Sequence, residues 1–392
     1  MVNNPDNMTN YSKNNFMKFI HHKPKDIEIC DVTLRDGEQT PGVAFSTQEK
    51  IAMAEKLDSI GVEVIEAGFP VVSDAEAATV REIAHLGLNA KICCLARSVA
   101  KDVDTALKCD VDFVSIFIAT SDLHLKYKYH KTFEEATSCA LDVLDYAKDH
   151  GLIVRFAVED ATRTDINVLK SLYKSAEEHG ADYVSIADTV GILNPSTTFY
   201  LVSEIKKITK AKLCIHCHND LGMAVANTLS AAEAGAFQLH TTVNGIGERC
   251  GNASLEELLV SLRVQYGIER YDVSKLMELS KLVEQYAEIP IPRTKAIVGS
   301  NAFAHESGIH VAAVLEEPMT YELFSPEMVG AKREYIIGKH TGTKALKGVV
   351  QKMGYDLSHE QMCTLLDRVK KCSEAKKKVT CGRLTEFIKE LE

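Results

Sequence analysis

No run in this sequence approaches the roughly 20 apolar residues that a membrane-spanning helix requires. Positive charge is also short. There are 45 lysines and arginines against 55 aspartates and glutamates, leaving a formal net charge of −10 and an isoelectric point near 5.8. A nucleic-acid-binding protein needs a basic face, and none is visible. The one dense basic stretch, Lys370-Lys371-Cys372 through Lys376-Lys377-Lys378, reads as a solvated helix face or hinge. Arginine is missing until Arg35, and the first 22 residues, rich in Asn and Lys, hold no apolar core segment. Those absences argue against a mitochondrial transit peptide and a secretory signal. Residues 1–24 are therefore expected to be a flexible tail on a cytoplasmic protein with no membrane or nucleic-acid partner. Cysteine is plentiful at 11, but the number is odd and the residues are scattered through apolar runs. That pattern excludes a disulfide framework and fits small buried thiols in a reducing interior.

The 392 residues, 45% hydrophobic and 26% charged, suffice for one large soluble domain plus smaller modules. Short β-rich runs recur at intervals of roughly thirty residues. They are Ile27–Asp31, Val62–Glu66, Ala90–Leu95, Asp112–Ile118, Ile153–Val158, Asp182–Ala187, Lys212–His216 and Gln238–Val243. Segments of helical spacing lie between them, such as Thr47–Ile60 and Thr132–Asp149. Glycine stops follow several, as in Ile60-Gly61, His150-Gly151 and His179-Gly180. Eight strand–helix units predict a (β/α)8 TIM barrel over residues 25–288. A doubly wound open sheet is the alternative, but residues 31–40 lack the glycine-rich phosphate loop it would need. The stiff Ile289-Pro290-Ile291-Pro292 then opens a linker and lid over 289–345. Residues 346–392 are expected to be a helical subdomain, with two amphipathic helices after residue 358.

In such a barrel the chemistry sits at the C-terminal ends of the strands. The polar residues sort there: Arg35, Asp36 and Gln39 after the first strand, Arg97 after the third, Glu159 closing the fifth, Thr189 after the sixth, and His216 and His218 at the seventh. Residues two apart on a strand share a face, so both histidines should point inward with Cys217 pointing away. Two imidazoles with the Asp36 carboxylate, and a carbonyl oxygen from Asn252, form a ligand set for a divalent metal with positions left open. The plainer reading makes each histidine a satisfied core group. Cys214-Ile215-His216-Cys217-His218 also matches a haem-attachment pattern, but a buried strand without an export signal does not suit haem. Arg35, never deprotonated at working pH, is suited to a developing oxyanion beside the metal; the alternative is a buried pair with Glu38 or Glu66. The glycine-rich loop Asn244–Asn252 follows strand eight, where barrels often bind phosphate. His310, outside the barrel, could serve as acid or base over its own or a neighbouring subunit's mouth.

These motifs together resemble the family of 2-isopropylmalate, homocitrate and citramalate synthases. Leu34-Arg35-Asp36-Gly37-Glu38-Gln39 running on to Lys50, His216-Cys217-His218-Asn219-Asp220-Leu221-Gly222, Glu248-Arg249-Cys250-Gly251-Asn252 and Ser307-Gly308-Ile309-His310 appear in family order. The resemblance implies Asp36, His216, His218 and Asn252 as ligands of Mg2+, Mn2+ or Zn2+, with acetyl-CoA as co-substrate. It implies Arg35, Glu159 and His310 as catalytic residues. Gln39, Thr189 and Arg97 would join the substrate site. It also implies a homodimer in which the segment after residue 290 reaches the partner's barrel. Arg155 is placed like the arginine that reads the distal carboxylate of 2-oxoglutarate in homocitrate synthases, a bidentate pairing. Against this, Cys94-Leu95-Ala96-Arg97 and Ile118-Ala119-Thr120-Ser121 look more like the isopropylmalate branch, and Ala157 stands where a serine is usual. The long regulatory domain of the leucine-pathway enzyme is not found before Glu392. The resemblance thus favours a short homocitrate synthase of the nitrogen-fixation type. Isopropylmalate, citramalate and Re-type citrate synthesis stay open. A hydroxymethylglutaryl-CoA-lyase-like reaction is disfavoured, because Gly247-Glu248-Arg249 does not match the Gly-Cys-Pro loop expected of a lyase.

Overall fold

The computed structural model describes residues 20, 22–377 and 379–391. The tail expected over residues 1–24 lies almost entirely outside them. The chain divides into two compact units, one ending at Pro290 and one running on from Ile291.

The first unit is a closed barrel of eight parallel strands in sequential order. The strands are β1 (Glu28–Asp31), β2 (Val64–Gly68), β3 (Lys91–Arg97), β4 (Phe113–Ala119), β5 (Ile153–Glu159), β6 (Tyr183–Asp188), β7 (Lys212–Cys217) and β8 (Gln238–Thr241). β1 closes on β8 with Glu28 opposite Gln238 and Asp31 opposite Thr241. Eight helices follow the strands in turn: α1 (Thr47–Ile60), α2 (Asp74–Ala84), α3 (Ala100–Lys108), α4 (Phe133–Asp149), α5 (Ile166–Glu178), α6 (Pro195–Lys206), α7 (Ala224–Glu233) and α8 (Leu255–Ser261). The fold expected from the strand count is the fold observed.

Local chemistry explains the boundaries. Ser46 and Glu49 form a reciprocal capping box that starts α1, and Thr132 with Glu135 does the same for α4. Gly61, at φ +98°, ends α1 in the left-handed conformation, which costs glycine little. Inside the barrel the side chains keep period two. Phe113, Tyr183, Cys30, Cys93 and Cys214 pack the lower interior. Above them Ser115, Ala157, Ser185 and Ala187 are small, so the upper interior remains open. Ten of the eleven cysteines are seen as free thiols, six of them buried, as the sequence suggested.

After α9 (Leu276–Ala287) comes the second unit. It holds a two-stranded parallel ribbon of β9 (Ala304–His305) and β10 (Glu334–Tyr335), then α10 (Gly308–Glu316), α11 (Thr343–Lys352), α12 (His359–Glu374) and α13 (Cys381–Lys389). Ile337, Leu346, Val350, Leu365, Val369 and Ile388 form its core. α12 and α13 are the two amphipathic helices expected after residue 358. A division at 345/346 does not fit, because α11 runs across it and packs into that shared core. Of the lysine run, Lys370 and Lys371 lie within α12 and Lys376 and Lys377 beyond its end. Among the described residues no helix is long and apolar enough to cross a membrane.

Candidate active site and metal centre

The open upper half of the barrel is a cavity of about 310 Å3, within the range of small-molecule sites. Period-two positions supply its wall: Ser115 and Phe117 from β4, Arg155, Ala157 and Glu159 from β5, Ser185 and Ala187 from β6. At its mouth His216 Nε2 and His218 Nε2 lie 3.3 Å apart. Asp36 Oδ2 is 3.2 Å from the first and 4.0 Å from the second. Donors about 2.1 Å from one shared ion would show separations of this size. All three side chains are buried.

Burial alone would raise the Asp36 carboxyl, but Arg35, His216 and His218 outweigh it and hold the group well below the usual carboxylate range. Burial and then His216 push His218 down to about 4, so its imidazole stays neutral and able to ligate. Among the described residues nothing hydrogen-bonds Asp36 Oδ2 or Asn252 Oδ1, although both are buried. A buried acceptor without a donor is costly, and a cation would satisfy both. The Asn252 oxygen is freed by its loop: Nδ2 donates to the Ile246 carbonyl at 3.1 Å, and the backbone N–H donates to Gly245 at 3.1 Å. Gly251, at φ +80°, sits where a Cβ would run into the Gly245 carbonyl, so the loop closes only with glycine there. His218 and Asn252 are bridged directly. The donor set of one carboxylate, two imidazoles and one amide oxygen therefore fits a divalent cation.

Arg35 lies beside this group, with Nη1 3.3 Å from Asp36 Oδ1 and Nε donating to Glu66 Oε1 at 2.5 Å. The buried pair with Glu66 expected as the alternative for Arg35 is present, and it sets the guanidinium beside Asp36. Glu66 is fully buried, and its other oxygen takes Arg155 Nη2. Burial would raise Glu66, but Arg35 and Arg155 outweigh it and hold it low and ionised. Arg155, 1% exposed, lies at the base of the cavity with its guanidinium 5.4 Å from the Phe113 ring. Nε donates to Ser115 Oγ at 3.1 Å, and Nη1 reaches Gln238 Oε1 at 2.7 Å and His240 Nε2 at 2.9 Å. Burial, then Arg155, keeps His240 neutral.

Gln39, Glu159 and Thr189 also line the cavity. Glu159 takes Lys128 Nζ at 2.6 and 2.8 Å, and Thr189 Oγ1 accepts from the Asp160 backbone at 2.8 Å. Arg97 does not join them. It is 55% exposed and turned onto Asp102, with Nε 2.7 Å and Nη2 2.9 Å from the carboxylate. The nearby acid in the first turn of α3 captures it. His310 belongs to the second unit, is exposed, and has its ring 4.1 Å from that of Tyr321. Among the cavity residues not singled out from sequence are Lys128, Phe69 and His240. Of these only His240 left a signal, two residues beyond Gln238 on the inward face of β8.

The profile of the HMGL-like family matches residues 26–283, the whole barrel. The chain belongs to the HMGL-like family. Residues 297–377 match the homocitrate synthase post-HMGL domain-like profile. The homocitrate synthase AksA of Methanosarcina acetivorans is 64% identical over 369 residues, covering 94% of this chain and 91% of that protein. A 2-isopropylmalate synthase of Methanocaldococcus jannaschii is 50% identical over 362 residues, covering 91% of this chain and 70% of that one. Within the HMGL-like family the chain therefore falls among the homocitrate and isopropylmalate synthases, which are acyltransferases. The crystal structure of the Bacillus subtilis HMG-CoA lyase superposes with a TM-score of 0.63 at 22% identity. It covers 69% of this chain and 97% of that one and establishes the shared HMGL-like barrel alone.

Proposed function

We propose that the chain condenses acetyl-CoA with 2-oxoglutarate and hydrolyses the resulting thioester, giving homocitrate and free CoA, as a cytoplasmic homodimer. The observation that carries the substrate choice is Arg155, a buried cation at the far end of a cavity whose mouth holds the metal ligands. Charge balance supports it. Arg35 and Arg155 offset Asp36 and Glu66, so the lined interior is neutral by itself. A divalent ion adds two positive charges, and a dicarboxylic 2-oxo acid brings two negative ones. A monocarboxylic 2-oxo acid would leave one charge uncompensated inside the barrel, which is expensive. The 64% identity to a homocitrate synthase points the same way.

A divalent cation, Mg2+, Mn2+ or Zn2+, bound to Asp36, His216, His218 and the Asn252 oxygen would supply Lewis acidity and a template for the oxo acid. The chain's own residues do the rest. Arg35, held by Glu66, places a permanent positive charge where the ketone oxygen becomes an alkoxide. Thr189 and Gln39 line the space for the oxo acid, with Glu159 steadied there by Lys128. Arg155 and His240 face its distal carboxylate. His310, from the partner subunit in this reading, takes a proton from the acetyl methyl. The methyl carbon then bonds to the ketone carbon, and water cleaves the thioester to release the CoA thiol.

The test is CoA-thiol release from metal-loaded enzyme with a panel of 2-oxo acids. The expected result is fastest turnover with 2-oxoglutarate and none after chelation. Faster turnover with 2-oxoisovalerate, 2-oxobutanoate or pyruvate would overturn the homocitrate reading and leave the condensation chemistry standing.

A further inference from the structure

Lys50 lies on α1, a helix on the outside of the barrel that packs against β2, yet its side chain is 1% exposed. A buried lysine is costly unless every proton finds an acceptor. Here all three do: Nζ is 2.7 Å from Glu38 Oε2 and 2.9 Å from each carboxylate oxygen of Glu76. Each carboxylate in turn holds a loop at the mouth of the cavity. Glu38 belongs to the single turn Gly37–Gln39 that immediately follows Asp36, and its Oε1 accepts the Phe45 backbone N–H at 2.8 Å. Glu76 Oε1 accepts the Phe69 backbone N–H at 3.1 Å, and Phe69 lines the cavity. Gly68 leaves the space for this, since a Cβ there would run into the Glu76 carboxylate.

We propose that Lys50 is a positioning residue for the metal centre. Acting through Glu38, it fixes the turn that carries Arg35, Asp36 and Gln39, and through Glu76 it locks that turn to the Phe69 loop. The turn needs such an anchor. The residue that caps it, Asp36, has helical backbone angles but makes no side-chain cap, and the turn is only three residues long. Short turns of this kind carry little stability of their own. A displacement of Asp36 by a fraction of an ångström would spoil a ligand set whose other members sit on β7 (His216), just past its end (His218) and on the Gly251–Asn252 loop. Outer groups that orient metal ligands typically contribute 10- to 100-fold to metal affinity.

The inference rests on the metal reading above, and the experiment separates the two. Mn2+ alone is titrated calorimetrically into the metal-stripped full-length wild type and into Lys50→Met and Glu38→Gln, with urea unfolding measured in parallel. Lys50→Met is expected to bind Mn2+ at least ~10-fold more weakly. Glu38→Gln, which leaves Lys50 and Glu76 paired, should shift affinity in the same direction by less. A merely structural lysine would lower the unfolding midpoint and leave Mn2+ affinity unchanged in folded protein, and that result overturns the proposal. If Lys50→Met does not fold, unchanged affinity in Glu38→Gln overturns it equally. A wild type that binds no Mn2+ overturns it together with the metal reading.

Discussion

Arg155 is held by more of the molecule than any other arginine of the cavity. Ser115, Gln238, His240 and Glu66 bring β4, β8 and β2 to one guanidinium on β5. That makes it a structural ion as well as a candidate reader of substrate. Replacing it by methionine would leave Glu66, which is fully buried, with Arg35 as its remaining cationic partner. Arg155→Met is expected to lose about 3–5 kcal/mol in urea unfolding. Arg97→Ala is expected to lose less, about 1–3 kcal/mol, because its guanidinium is half exposed while the buried Asp102 keeps the residue 97 backbone N–H as a donor. It should leave 2-oxo acid turnover unchanged, since Arg97 faces away from the cavity. A drop in turnover for Arg97→Ala would return it to the substrate site. For the specificity of Arg155 the informative change is Arg155→Lys. It keeps the charge but loses the planar fork, so the rate with 2-oxoglutarate should fall while that with 2-oxoisovalerate stays level.

At the scale of elements, β1 shows how a strand end can carry a pH dependence. Asp31 closes β1, fully buried, and accepts the Thr33 backbone N–H at 2.9 Å and the Thr241 hydroxyl at 3.2 Å. Burial raises its carboxyl from 3.8 to about 7, despite the donors that pull it down. A carboxyl raised in the fold stabilises the fold while protonated. The contribution is complete below pH 3.8 and is lost as pH climbs through about 7, at most about 4 kcal/mol in all. Wild type should therefore lose stability relative to Asp31→Asn between pH 5 and pH 8, and urea midpoints at the two values test this. Parallel midpoints would show that Asp31 does not titrate in that window. The elements themselves were legible because barrel strands announce themselves by spacing: all eight fall within two residues of where the β-rich runs end. The His-x-His pair was legible because period two fixes two side chains on one face. α10 was not, because Gly-Ile-His-Val-Ala-Ala-Val-Leu-Glu is apolar nearly all round and has no stripe to read. The partnership of Arg155 with Glu66 spans 89 positions of sequence, and only barrel closure brings them together.

The whole molecule poses a question that neither unit answers alone. The barrel supplies the candidate metal ligands, Arg35 and a cavity, while the proton-accepting histidine proposed for the reaction, His310, lies in the second unit on the exposed first turn of α10. Two subunits can share a site if each lends His310 to the other's barrel, and symmetry then makes both sites composite. Mixing two dead variants distinguishes this from a self-contained subunit. Asp36→Ala removes the metal ligand and keeps His310; His310→Ala does the reverse. When equal amounts are exchanged to equilibrium, half the dimers are mixed. Each mixed dimer has one barrel with intact ligands facing an intact His310, so roughly a quarter of wild-type CoA release should return. If His310 serves its own barrel, every site in every dimer keeps one lesion and no activity returns. If His310→Ala alone stays near wild-type rate, the histidine is not the base, and the proton must go to a group in the barrel, for which Glu159, ion-paired to Lys128 at the cavity wall, is then the best placed.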